Sequence, residues 1–333
     1  MRKPIISASA VAFLIAAIPE IAALGAPHLL TNGPGDGTVS VGVDGYASFG
    51  SSVGSQTTDA FYDAVGPIGT SATSFESAVA IRFNNTGPRQ FLTTGDIGGS
   101  GGLGLIPVLG SATSGSSSFS YNGLNFAVTQ TVVDLVSSGN QVGSRLDQTF
   151  VISNPGRTAA SFEMMRYLDG DLYFDGSLVD GGGRMFLNGT EILFETDSAT
   201  GAADPTTFVG ITSEGGTIPA SGRYEIDSFS GLRQRIINGT QLDDFITGDS
   251  GDADQFIDAN QGYDVTLALR NLFVINPGGS ATYVTRTIFG SGSPDETPPP
   301  PPIVPETNTI VAGGAVALLA LKVWRGRRTS PQA

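Results

Sequence analysis

The sequence predicts an all-β protein: one large antiparallel β-sandwich, preceded by an apolar N-terminal leader and followed by a short apolar C-terminal helix. Three observations carry this. Apolar residues recur at every second position, as in Leu124, Phe126 and Val128 or Val265, Leu267 and Leu269, and this is the period of a strand with one buried face. Asn-Gly pairs at 122–123, 188–189 and 238–239 separate strand-like runs, and Asn-Gly readily accepts the positive φ angles of a two-residue hairpin turn. Between Val39 and Phe289 no segment keeps apolar residues at helical spacing for three turns.

In chain order, Met1-Arg2-Lys3 opens a basic start, Ile5–Ile18 is mostly apolar, and small residues follow through Ala26. That layout predicts a signal peptide over 1–25 and an exported mature chain. The ectodomain is then 27–290. Within it Phe150–Gly156 and Leu272–Gly278 each end a strand on Asn-Pro-Gly, and each is followed by a strand carrying an arginine, Arg166 or Arg286. A looser version runs from Ala80 to Gly87. Such strand–turn–strand units are expected to be hairpins of one sandwich, with two smaller sandwiches divided near 199–205 as the alternative. Gly95–Ser118 is rich in Gly and Ser and reads as a long surface loop, or as a flap over a binding face.

The stretch 291–303 ends in five prolines and predicts an extended spacer. The segment 304–328 follows it. As a helix, its apolar part from Thr309 to Trp324 would span roughly 24 Å, with Lys322 and the arginines at 325, 327 and 328 at the cytoplasmic side. Pro305, Glu306 and Thr309, the Gly313-Gly314 break and the arginine cluster together resemble the PEP-CTERM sorting signal of Gram-negative bacteria. Thr307 stands where that signal has its second proline. The resemblance implies processing by an exosortase and delivery to the cell envelope, cell surface or extracellular matrix. Val304–Asn308 is also near the Leu-Pro-x-Thr-Gly signal, which would make a sortase the processing enzyme instead.

Composition removes whole mechanisms. The chain has no Cys and a single His, His28, and its net charge is −14. Thiol chemistry, Cys-based zinc sites, Ser-His-Asp triads and His-based metal catalysis have nothing to build on. No lysine lies between Lys3 and Lys322, which excludes a lysine base. The acidic surface repels phosphate backbones, so nucleic acid is not a partner.

Two acidic runs remain. Asp249, Asp252, Asp254 and Asp258 alternate with small residues and read as oxygen ligands for Ca²⁺, against a solvated acidic loop; the spacing is not that of an EF-hand. Asp169, Asp171, Tyr173, Asp175 and Asp180 form the second run, where Asp169 and Asp171, two apart on a strand, would share a face and serve as a glycosidase pair. Ordinary Asp-Gly turns are the competing reading. The expectation drawn from these features is a non-enzymatic structural or adhesive surface protein. A carbohydrate-binding module using tyrosines, or a carboxylate-dependent polysaccharide-cleaving enzyme, is the alternative, with extracellular polysaccharide as the partner.

Overall fold

A computed structural model describes residues 27–53, 59–198, 206–250, 252, 254–292 and 294. The leader at 1–25, nearly all of the spacer and the whole segment 304–328, including Pro305, Glu306 and Thr309, lie outside the described residues. Among the described residues no helix is long and apolar enough to cross a membrane.

The chain is mostly β. Strands β1 (His28–Thr31), β2 (Val39–Val43), β3 (Ala60–Ala64) and β4 (Gly69–Ala72) form a four-stranded sheet in that order. Next come β5 (Ser74–Phe83), β6 (Gln90–Leu92), β7 (Leu109–Gly110), β8 (Ser114–Tyr121), β9 (Leu124–Ser137), β10 (Asn140–Ser153) and β11 (Ala160–Gly170). They are followed by β12 (Gly181–Leu187), β13 (Thr190–Thr196), β14 (Thr206–Glu214), β15 (Tyr224–Ser228), α1 (Phe229–Ile237), β16 (Phe245–Ile246), β17 (Val265–Ile275) and β18 (Ser280–Gly292). An eight-stranded sheet runs β12-β13-β14-β18-β10-β9-β8-β7, and a six-stranded sheet runs β16-β15-β17-β11-β5-β6. All pairings are antiparallel except β15 with β16. β13 and β14, on either side of 199–205, are neighbours in one sheet.

The two large sheets share a core in the manner of a sandwich. Phe162 and Met164 of β11, with Phe273 and Ile275 of β17, meet Phe126 and Val128 of β9, Phe150 of β10 and Tyr283 of β18. The alternation in β9 puts Leu124, Phe126 and Val128 inside as its sequence predicts. Val265, Leu267 and Leu269 are also buried, but β17 is covered on both faces: Ala268 packs with Leu232 and Ile236 of α1 on the other side.

Three expectations need correction. Asn122-Gly123 and Asn188-Gly189 do turn β8 into β9 and β12 into β13, with positive φ at all four residues. Asn238-Gly239 instead terminates α1: Gly239 has φ +72° and its N–H donates to Ile236 O at 3.0 Å, a left-handed helix end that glycine favours. At nine residues α1 is too short for a three-turn pattern to reveal it. The Asn-Pro-Gly units are not hairpins either. β10 and β18 lie in the eight-stranded sheet while β11 and β17 lie in the six-stranded one, so each turn carries the chain from one layer to the other. The two corners brace one another, because Asn154 N–H donates to Gly279 O and Gly278 N–H donates to Asn154 O. Finally, residues 114–118 of the Gly/Ser-rich segment belong to β8 rather than to a loop.

Candidate active site: a carboxyl cluster at one end of the sandwich

At the end of the sandwich where β11 stops, carboxyls from both large sheets converge. β11 and β5 pair Asp169 directly with Glu76, on the face covered by α1. Two carboxylates opposite one another on neighbouring strands repel, and both are buried. Tyr167 Oη reaches both, at 3.4 Å from Glu76 Oε2 and 3.4 Å from Asp169 Oδ2, but has one proton to donate. Arg233 of α1 pairs with Glu76: its Nη1 donates to Glu76 Oε1 at 3.0 Å. Burial, then repulsion from Asp264, Glu76 and Asp171, pushes the Asp169 carboxyl up to about 9. Asp169 is therefore neutral at pH 7.

A register shift at Asp169/Gly170 ends β11. Gly170 is needed there, since a Cβ would overlap the carboxylate of Glu195, which reaches in from β13 of the other sheet. Glu195 is fully buried, and among the described residues no backbone, hydroxyl or amide donor meets Oε1 or Oε2. Its hydrogen-bonding neighbour is the carboxyl of Asp180, also buried. Two ionised carboxylates only accept, so this hydrogen bond needs a proton between them. Burial raises both groups well above the usual carboxylate range, with added repulsion on Asp180 from Asp197, Asp175 and Asp264 and on Glu195 from Asp180.

The outer part of the cluster is open to solvent. Asp171 and Asp264 are half-buried and Asp175 is exposed. Burial, then repulsion from Asp264, Asp59 and Glu76, moves Asp171 to about 6. Burial raises Asp264 while Arg233 draws it back. Burial, then the charge of Asp175, takes Asp197 to about 6. The backbone holds these groups in place. Asp171 N–H donates to Thr73 O at 3.2 Å, and Asp180 and Tyr263 exchange backbone hydrogen bonds at 2.9 and 3.1 Å. Such a set can donate protons from its neutral members and accept them at its ionised ones, which is the requirement for general acid and base catalysis.

Of the second acidic run, Asp169, Asp171, Asp175 and Asp180 all belong to this cluster. Asp169 and Asp171 do not share a strand face, however: β11 ends at Gly170, so Asp169 turns to α1 and Asp171 begins the loop. Glu76, Glu195, Asp197 and Asp264 escape a reading by sequence runs. One signal for Glu195 is present, a carboxylate in register with Leu193 on the buried face of an apolar strand. The two arginines of the repeat have different partners. Arg286 pairs with Asp147 and Glu214. Arg166 is buried between the sheets and meets no carboxylate among the described residues; it donates to Ala78 O, Tyr167 O, Ser77 Oγ and Thr287 Oγ1 at 2.7–3.1 Å.

The first acidic run is a separate place. Carboxylate oxygens of Asp249, Asp252 and Asp254 lie within 4.8 Å of one another, a span one cation can bridge. Asp258 does not join them: its Oδ2 accepts from Ser250 N–H at 3.1 Å and Ser250 Oγ at 2.8 Å. The segment following these aspartates closes the open edge of β12, where Ile257 N–H donates to Gly182 O at 2.9 Å and Arg184 N–H to Gln255 O at 2.8 Å.

No family model matches the chain, and no curated protein matches it. Solved structures do. A polysaccharide lyase matches with a TM-score of 0.35 and 9% identity, over 66% of this chain and 26% of that one. A protein described as a kojibiose phosphorylase from the human microbiome gives a TM-score of 0.28 and 8% identity, over 92% of this chain and 37% of that one. A galactose mutarotase related enzyme from Lactobacillus acidophilus gives 0.33 and 10%, over 80% of this chain and 99% of that one. The chain thus spans well under two thirds of the first two proteins. All three are described as enzymes, which runs against the expectation of a protein without enzymatic activity, and that expectation is not carried further.

Proposed function

We propose that the protein is an exported enzyme that cleaves glycosidic bonds in extracellular polysaccharide with carboxyl groups alone. The observation that carries this reading is Asp171: a solvent-accessible carboxyl at about 6, with Asp264 close enough to raise it. Two carboxyls that resist ionising together divide into an acid and a base. Asp171 protonates the leaving oxygen, and Asp264 acts as base or nucleophile. The buried Asp180–Glu195 pair and neutral Asp169 are positioning residues, since they keep negative charge from accumulating behind the two. Reducing-sugar release from a panel of neutral and acidic glycans tests the reading. Turnover abolished in Asp171→Asn supports it, and the absence of turnover on every glycan overturns it.

The same reading takes the chain as a finished β-sandwich ectodomain on a proline spacer, exported by the leader at 1–25 and sorted through 304–328. An exosortase, or a sortase, is the processing partner, and Asp249, Asp252 and Asp254 hold Ca²⁺, whose charge offsets their three carboxylates.

A further inference from the structure

Between Gly170 and Gly181 the chain forms a loop beside the carboxyl cluster, anchored to the rest of the fold at Asp171, Phe174 and Asp175. Phe174 packs edge-on against Tyr62, with ring centroids 6.4 Å apart. Asp175 N–H donates to the Asp197 carboxylate. Asp175 Oδ1 accepts from Ser177 N–H at 2.8 Å, and Ser177 Oγ accepts from Val179 N–H at 3.0 Å. Because Phe174 turns inward, its neighbour Tyr173 turns outward and is 55% exposed. A large aromatic ring is thus held in water on an anchored segment, with Asp171 and Asp175 two residues to either side.

An exposed aromatic ring on an anchored backbone offers a flat apolar face with a polar tip to a ligand. The ring's electron-rich face attracts the weakly positive C–H face of a pyranose, and flanking carboxylates accept hydrogen bonds from its hydroxyls. The ionisable groups on and against this segment, Asp171, Asp175 and Asp197, are all acidic, so an anionic ligand meets a repulsion that a neutral one does not. Resting on the carbohydrate reading above, we propose that Tyr173 is the platform of a sugar subsite for neutral glycans, with Asp175 as a hydroxyl acceptor.

Wild type, Tyr173→Ala and Tyr173→Phe are compared by calorimetric binding and by turnover on neutral hexo-oligosaccharides, with oligogalacturonate as the anionic comparator. Losing contact with one sugar face of about 50 Å² weakens binding about tenfold in Tyr173→Ala, seen in Kd or KM with kcat within about twofold, while Tyr173→Phe stays near wild type. Equal affinity of wild type and Tyr173→Ala overturns the subsite, as does oligogalacturonate binding as tightly as the neutral ligands. Neutral-glycan binding that depends on Tyr173 without any turnover leaves the subsite standing and removes the enzymatic reading. Turnover whose KM ignores Tyr173→Ala does the reverse. No binding to any neutral glycan overturns the subsite outright.

Discussion

Asp169→Asn should make the protein more stable at neutral pH and leave it unchanged in acid. Asp169 is about 1% exposed, faces Glu76 across the sheet, and has its carboxyl raised from 3.8 to about 9. Below pH 3.8 the group is protonated folded or unfolded, and it contributes nothing. Above that, the unfolded chain releases a proton that the folded chain keeps, so stability falls as pH rises, until about 9. At about 1.4 kcal/mol per pH unit, the three units up to pH 7 amount to about 4 kcal/mol as a ceiling. Asparagine is neutral at every pH, retains an oxygen for Tyr167 Oη to donate to, and removes that cost. At about 2–4 °C per kcal/mol for a domain of this size, a recovery of about half the ceiling raises Tm by roughly 4–8 °C. The assay is thermal unfolding followed by circular dichroism at pH 4 and pH 7.5 for wild type and variant. A Tm of Asp169→Asn below wild type at pH 7.5, and equal to it at pH 4, would mean that ionised Asp169 is stabilising and would refute the argument.

Further outcomes follow from the same cluster and its neighbours. Gly170→Ala drives a methyl group into the Glu195 carboxylate and should cost about 1–3 kcal/mol in urea unfolding, while Gly176→Ala, at a position with open space, should cost only the strain of its positive φ. On a neutral glycan, kcat/KM should lose activity on the alkaline side with a midpoint near the Asp171 value of about 6, and a flat profile to pH 9 would exclude Asp171 as the acid. Millimolar CaCl₂ should raise Tm and chelator should lower it, an effect lost in Asp252→Asn/Asp254→Asn but kept in Asp258→Asn, since Asp258 is occupied by Ser250.

Much of the fold is legible because strands advertise themselves locally. The alternation around Phe126 and the Asn-Gly turns at 122–123 and 188–189 need only neighbouring residues to be interpreted. Asn238-Gly239 shows where that stops: the dipeptide specifies positive φ at its glycine, which suits a helix end as well as a hairpin, and only α1 packing on Ala268 and Tyr167 decides between them. The Asn-Pro-Gly corners fail for the same reason, since a turn does not state which sheet its second strand will join. The site is half legible. Asp169, Asp171, Asp175 and Asp180 are close in sequence, so their run is visible. Glu195 and Glu76 are brought to them by inter-sheet approach at Gly170 and by cross-strand register, neither of which a local pattern encodes. The calcium run likewise gives three aspartates together, whereas Asp258 is drawn off by a hydroxyl and an amide that no spacing rule counts.

The central claim is that carboxyls inside this sandwich hold protons at neutral pH. The infrared C=O stretch of protonated carboxyls, recorded in the folded protein at pH 7.5, tests it directly. The account predicts a clear band that weakens in Asp169→Asn and weakens separately in Glu195→Gln. A folded wild-type protein with no such band at pH 7.5 would contradict it.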